Sequence, residues 1–144
     1  MRRITPTGSF FITVPEDVIE EYDGRVASFW KKNREILLQV SSYARHEGPQ
    51  IGAEERLMSL LKRQPLSQVS RSVALAVDCP DFAVARGVDQ GGVAWVYAYA
   101  VWPGLAVMIT ISGNEREALN DGNWAFGAVR SLGRTIDDTW MRRS

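Results

Sequence analysis

One histidine and one cysteine supply all the soft-ligand and thiol chemistry in this sequence: His46 in "ARHEGPQ" and Cys79 in "DCPDF". An enzyme built on His46 requires a nucleophile or an acid within hydrogen-bond reach of a residue that reads as part of a loop. Cys79 precedes Pro80 and lies between Asp78 and Asp81, whose carboxylates raise a thiol's pKa and weaken it as a nucleophile. A single cysteine excludes a disulfide within the chain and a cysteine-rich metal centre. Carboxylate clusters are the remaining route to hydrolytic or metal chemistry, and three pairs qualify: Asp78/Asp81, Glu54/Glu55 and Asp137/Asp138. The first reads as turn chemistry. The second reads as the start of a helix, and the third falls late in a helix, where acids oppose the dipole. None has the spacing of a metal-binding motif. "GVDQGG" (87–92) is glycine-rich but lacks the Lys-Ser/Thr of a phosphate loop, and no helix follows it. No catalytic residue, metal or cofactor is assigned.

Recognition is the other chemistry on offer, through aromatic rings. "GVAWVYAYAVWPGLAVMITISG" (92–113) joins two apolar runs across Trp102-Pro103-Gly104 and places Trp95, Tyr97, Tyr99 and Trp102 in the first. Side chains alternate faces along a strand, so register decides which rings share a surface. With Pro103-Gly104 as a two-residue type II turn, Trp102 opposes Leu105, Ala100 opposes Val107, Ala98 opposes Ile109 and Val96 opposes Ile111. That face is wholly apolar, and its alanines let a helix approach closely. The other face sets Trp95 beside Ser112, Tyr97 beside Thr110 and Tyr99 beside Met108, flat rings with polar tips. A three-residue loop would exchange the faces and put the tyrosines with the isoleucines. Trp95, Tyr97, Tyr99 and Met108 are therefore the candidate binding residues. They form either a second core beneath a covering layer, a surface for a protein partner, or one wall of a small apolar ligand's pocket.

The elements that position these residues follow from periodicity. "SFFITV" (9–14) reads as a strand stopped by Pro15. Residues 15–24 read as a brief helical turn, with Pro15, Glu16 and Asp17 at its start and Gly24 at its end. Residues 25–30 and 34–43 read as a hairpin across "KKN"; alternation of Ile36, Leu38 and Val40 with Glu35, Leu37, Gln39 and Ser41 leaves one face of the second strand at least half wet. Ala53, Leu57, Leu60 and Leu61 make one helical stripe, with Glu54 and Glu55 at its head, Lys62 and Arg63 at its tail, and Pro65 beyond. "VALAV" (73–77) and "FAVAR" (82–86) read as strands across "DCPD". Asn114 with Glu117 is a capping-box pattern. After an interruption at Gly122, the stripe Ala125, Ala128, Val129, Leu132, Ile136 reads as one helix. The sum is an α+β domain: a mostly antiparallel sheet of about six or seven strands with two main helices packed on it, an α/β/α sandwich. Strands linked by short turns rule out the parallel crossovers of a nucleotide-binding sheet.

The totals bound the function. A chain of 144 residues, 45% hydrophobic and 24% charged, is one ordinary globular domain spanning 1–144. Lys and Arg number 17 against 17 for Asp and Glu, so no net field gathers phosphates, which argues against nucleic acid as a partner. Arg2, Arg3, Arg142 and Arg143 are expected on frayed ends. No run approaches a membrane span and no secretory signal is evident, so the expected location is cytoplasmic.

The layout also resembles a known family. "FFITVPEDV" is similar to the phenylalanine–strand–proline opening of the PsbP-like superfamily, and the succession of hairpin, helix, hairpin ending in "GLAVMITISG" and terminal "NWAFGAVRSLGRTI" follows that family's order along nearly the whole chain. The residues that carry the likeness are Phe11, Pro15, Gly104 and Ser131. The family includes the extrinsic P subunit of photosystem II, a Ran-binding nuclear-import protein and many small bacterial proteins. The resemblance implies an α/β/α sandwich and a non-enzymatic protein that works by binding another protein; it transfers no functional residue. The expected function is a binding domain acting through a protein partner, as an adaptor, chaperone or immunity-type protein. The alternatives are a carrier of a small apolar ligand, and an enzyme using His46 or a carboxylate cluster. A homodimer through an exposed edge strand is a further expectation.

Overall fold

Gly104 takes φ +77°, the left-handed geometry that the third residue of a type II turn requires. The hairpin around it therefore closes with two loop residues and adopts the even register. Trp102 opposes Leu105, Ala98 opposes Ile109, and on the other face Tyr97 opposes Thr110 and Tyr99 opposes Met108. The computed structural model describes residues 1–44, 50–73, 75 and 77–135. Their elements run β1 (Arg2–Ile4), β2 (Phe10–Val14), β3 (Ile19–Asp23), β4 (Val26–Trp30), β5 (Ile36–Ala44), α1 (Ala53–Arg63), β6 (Ser67–Ser70), β7 (Asp81–Val88), β8 (Ala94–Trp102), β9 (Leu105–Gly113), α2 (Glu115–Ala118), α3 (Trp124–Arg130) and β10 (Gly133–Arg134).

The strands form a seven-stranded antiparallel sheet, β3-β4-β5-β9-β8-β7-β6, and a three-stranded one, β1-β2-β10. This is an α+β fold in three layers. The apolar face of the large sheet, including Leu38, Val40, Val96, Ala98, Ile109 and Ile111, meets α2, α3 and the small sheet, which contributes Phe10, Ile12 and Val14 to the same core. The other face receives α1. Leu57 and Leu60 pack there with Ala83, Ala85, Tyr97, Tyr99 and Val101 as a separate, smaller cluster. The two capping asparagines behave alike: Asn114 Oδ1 accepts the Glu117 N–H at 2.9 Å and Asn123 Oδ1 accepts the Phe126 N–H at 3.0 Å.

Four local expectations are corrected. Residues 15–24 hold no helix; after a turn at Pro15, residues 19–23 are the strand β3, paired residue by residue with β4. Gly24, at φ +61°, serves a two-residue hairpin turn and not a helix end. Glycine at the first of two loop positions, here Gly24-Arg25, is a hairpin signal, and cross-strand pairing outweighs the acid-rich start.

The strand beside β7 is β6, not residues 73–77. Val73, Leu75 and Val77 still turn toward the core. Their backbone is satisfied locally, Leu75 N–H to Val73 C=O and Cys79 N–H to Val77 C=O. Arg71 Nε occupies the Val84 carbonyl at 2.9 Å. Ala74 and Ala76 lie outside the described residues.

The last helix stops at Arg130. Ser131 Oγ accepts the Thr13 N–H at 2.7 Å, and the Phe11 ring lies where a Cβ on Gly133 would fall, 2.4 Å from its Cζ. That contact holds the chain as β10 against β2. Leu132 is buried as its stripe predicts, whereas Ile136 lies outside the described residues. Finally, Arg2 and Arg3 are not frayed. They belong to β1, with Arg2 Nη2 donating to the Val18 carbonyl and the Arg3 guanidinium 4.1 Å from the Phe11 ring centre. Arg142 and Arg143 are outside the described residues.

Candidate functional site

Small residues decide how closely a helix can sit on a sheet. Beneath α1 they are alanines, Ala83, Ala85 and Ala106, and the helix lies directly over β7 and β8. Its first turn is fixed from the sheet: Asp81 Oδ2, on β7, accepts the Ala53 N–H at 2.8 Å and takes the place of an ordinary cap. Glu54 forms a two-armed ion pair with Arg71. That hydrogen-bonded pairing holds the Glu54 carboxyl below its usual value.

The four candidate residues separate under this helix. Tyr97 and Tyr99 are 2% and 5% exposed, packed with Ala53, Leu57 and Leu60. Burial pushes both phenols above their ordinary value. Tyr97 keeps one outlet, its hydroxyl 3.4 Å from Gln64 Oε1 at the end of α1. Trp95 and Met108 are only half-buried and reach past the helix edge. Trp95 Nε1–H donates to Asp89 Oδ2 at 2.9 Å, and Asp89 Oδ1 accepts the N–H groups of Gly91 and Val93. These bonds, that of Trp95 foremost, hold the Asp89 carboxyl below its usual value. "GVDQGG" is thus a carboxylate-organised turn that anchors Trp95.

Beyond Trp95 and Met108 the same sheet face continues over β9, β5, β4 and β3, and no described element covers it. Register places Glu21, Ser28, Gln39, Thr110 and Tyr97 in one row across the sheet, Val26, Ser41, Met108 and Tyr99 in the next, and Trp30, Leu37, Ser112 and Trp95 in a third. The only buried serines and threonines among the described residues, Ser41, Thr110 and Ser112, all lie in this floor, and Ser41 Oγ donates to Tyr43 Oη at 3.4 Å. Gln39 Nε2 donates to Ser28 Oγ at 3.2 Å. A groove of about 270 Å³ opens between Tyr43, Gln64, Trp95 and Met108, and another of about 400 Å³ lies over Trp30 and Leu37 beside Glu21 and Arg34. Trp30, Gln39, Tyr43 and Thr110 were not singled out from the sequence. The signal for Gln39 and Tyr43 was the wet alternation of β5, and that for Thr110 its pairing with Tyr97, legible as a face but not as a site.

The remaining chemistry does not converge. Burial pushes the Cys79 thiol up, with smaller contributions from Asp81 and Asp78, and its Sγ–H lies 3.3 Å from the Asp81 carbonyl. His46 and the pair Asp137/Asp138 lie outside the described residues. Among those described, no three His, Cys, Asp or Glu side chains group as a metal site would require. No helix among them is long and apolar enough to cross a membrane.

No protein-family profile and no curated protein matches the chain. Among solved structures, a protein from Bacteroides thetaiotaomicron determined at 1.50 Å resolution is similar, with a TM-score of 0.56 and 13% identity over 89% of this chain and 46% of that one. The chain thus spans less than half of that protein's length, and at this identity the likeness is one of fold.

Proposed function

We propose that this domain is a non-enzymatic module that binds a protein partner on the uncovered half of its large sheet, with Trp30, Tyr43, Trp95 and Met108 as anchors around a hydrogen-bonding floor. The observation that carries this reading is the concentration of buried polar side chains, Ser41, Thr110 and Ser112, under an open surface rimmed by aromatics. Ser41 Oγ donates to Tyr43 Oη within the face, whereas an apolar cover would strand the Thr110 and Ser112 hydroxyls, which is costly. A polypeptide brings backbone and side-chain groups that can satisfy them, and Trp, Tyr and Met are the residues enriched at protein interfaces. The resemblance of layout to PsbP-like proteins supports the same class of function. A ligand wall made of Trp95, Tyr97, Tyr99 and Met108 has less support, because Tyr97 and Tyr99 face Leu57 and Leu60.

The test is capture from native cell extract by the immobilised domain, beside Gln39→Arg/Ser41→Arg on the open face and Lys62→Glu on α1. A partner retained by wild type and by the α1 variant, and lost from the face variant, is the expected result. Equal capture by all three would place the interface elsewhere.

A further inference from the structure

The large sheet ends in two unlike strands. At one end β6 is four residues long, shifts register between Ser67 and Ser70, and has Gln68 at φ +53°, a backbone that cannot template a regular neighbour. At the other, β3 pairs without irregularity over all five of its residues. The turn Gly24-Arg25 is closed by the pair Asp23–Val26, which carries the turn's hydrogen bond. Hydrogen-bonded and non-bonded pairs alternate from there. The backbone N–H and C=O of Glu20 and Tyr22 therefore point away from β4, and no strand among the described residues lies on that side. Ile19 and Tyr22, at 40% and 49% exposure, stand on opposite faces of this free edge.

Charge selects what can add there. Five of the nine residues Pro15–Asp23 are acidic and none is basic. Glu16, Asp17 and Glu20 have partners in the Met1 amino group, Lys31 and Arg2, whereas Glu21 and Asp23 form no ion pair among the described residues. A second copy fits poorly. Every antiparallel β3–β3 register that pairs three or more of these residues sets acid against acid, which destabilises a cross-strand pair.

We infer that β3 is a docking edge for an extended, basic segment of a partner protein, added as an eighth strand with Lys or Arg opposite Glu21 and Asp23 and apolar residues opposite Ile19 and Tyr22. The open edge carries the inference, and the acids set only the sign of the occupant. It rests on the reading above in taking the partner to be a protein. Main-chain bonds would supply affinity and the alternating side chains specificity. The added strand would border the same open face.

The probe is a labelled, end-capped peptide, Gly-Lys-Val-Lys-Lys-Val-Gly, followed by fluorescence anisotropy at low salt, with amide exchange of Glu20 and Tyr22 as the structural readout. Saturable binding with slowed exchange at those two amides is expected. Glu21→Lys/Asp23→Lys, on exposed positions that folding does not need, should weaken binding about tenfold or more, as opposed charges become like charges. Tyr22→Pro should weaken it roughly two- to tenfold relative to Tyr22→Ala, because it removes one outward donor that the hairpin does not use. Unchanged exchange, equal binding of the peptide with Glu for Lys, or no saturation at millimolar peptide overturns the inference. So does a dimer of this chain that Tyr22→Pro dissociates. These variants leave Gln39 and Ser41 intact. If the edge fails while Gln39→Arg/Ser41→Arg still abolishes capture, only the edge is lost; the reverse result removes only the open face.

Discussion

One face of one sheet is built in two ways. Over β7 and β8 the small residues are alanines and a helix lies on them. Over β9, β5 and β4 they are Ser28, Ser41, Thr110 and Ser112, and nothing described lies on them. The side chains are similar in size, so space alone does not explain why α1 covers one half and stops. Polarity does. Ser28 Oγ accepts from Gln39 and Ser41 Oγ lies 3.4 Å from Tyr43 Oη, but a helix with the stripe Ala53, Leu57, Leu60 would cover the Thr110 and Ser112 hydroxyls without offering them a partner, at a cost of ~1–3 kcal/mol apiece. The alanines impose no such cost. The comparison separates a half built for stability from a half whose polar floor, on the function proposed above, serves contact with something that can hydrogen-bond.

Truncation on the two halves should diverge most. Leu57 is fully buried beneath α1, so Leu57→Ala should cost ~2–5 kcal/mol in urea unfolding. Leu37→Ala, at a half-buried position on the open half, should cost less than about 1.5 kcal/mol. Comparable losses would mean that the open half is packed in solution and the distinction is wrong. Next in size is the anchor of the helix. Asp81→Ala removes the acceptor of the Ala53 N–H and should cost ~1 kcal/mol, with Asp81→Asn recovering part of it. If Asp81→Ala is neutral, α1 is held by its apolar stripe alone. Smaller still, Thr110→Val on the open floor should lie within about 0.5 kcal/mol of wild type. A large loss there would reveal a hydroxyl already bound within the folded chain.

Much of this comparison was legible in the residues. The register of β8 and β9 followed from Pro103-Gly104, and with it the separation of Val96, Ala98 and Ala100 from Tyr97 and Tyr99. The α1 stripe and the capping role of Asn114 followed from spacing. What escaped is non-local. Residues 19–23 become a strand because β4 offers an edge, and no local pattern records that offer. Residues 73–77 alternate as a strand should, but the ladder beside β7 is taken by β6 and by the Arg71 guanidinium. The stripe from Ala125 is helical as far as Arg130, and the next residues obey the Phe11–Gly133 contact, which joins the two ends of the described chain. The site divided for the same reason. Trp95, Tyr97, Tyr99 and Met108 share a face by register, yet where a helix two strands earlier in the sequence would end on that face is a tertiary fact.

Trp95 marks the boundary between the halves, and its anchor can be titrated. The Asp89 carboxylate holds the indole N–H and two backbone N–H groups, so its folded-state pKa lies below the unfolded value of about 3.9. A depressed carboxylate contributes stability that is fully present above the unfolded pKa and is lost as pH falls through the folded one. Glu54 acts in the same direction through Arg71 and is unaffected by a change at Asp89. Asp89→Asn should therefore flatten, without abolishing, the loss of stability below about pH 4, and leave the profile near neutrality parallel to wild type. The Trp95 indole N–H resonance should move over the same acid window in wild type and stay fixed in Asp89→Asn. An identical acid limb in both proteins would show that the turn does not depend on the carboxylate's charge. The edge of the open face would then be set by the end of α1 at Gln64, and Trp95 would belong to the helix-covered half.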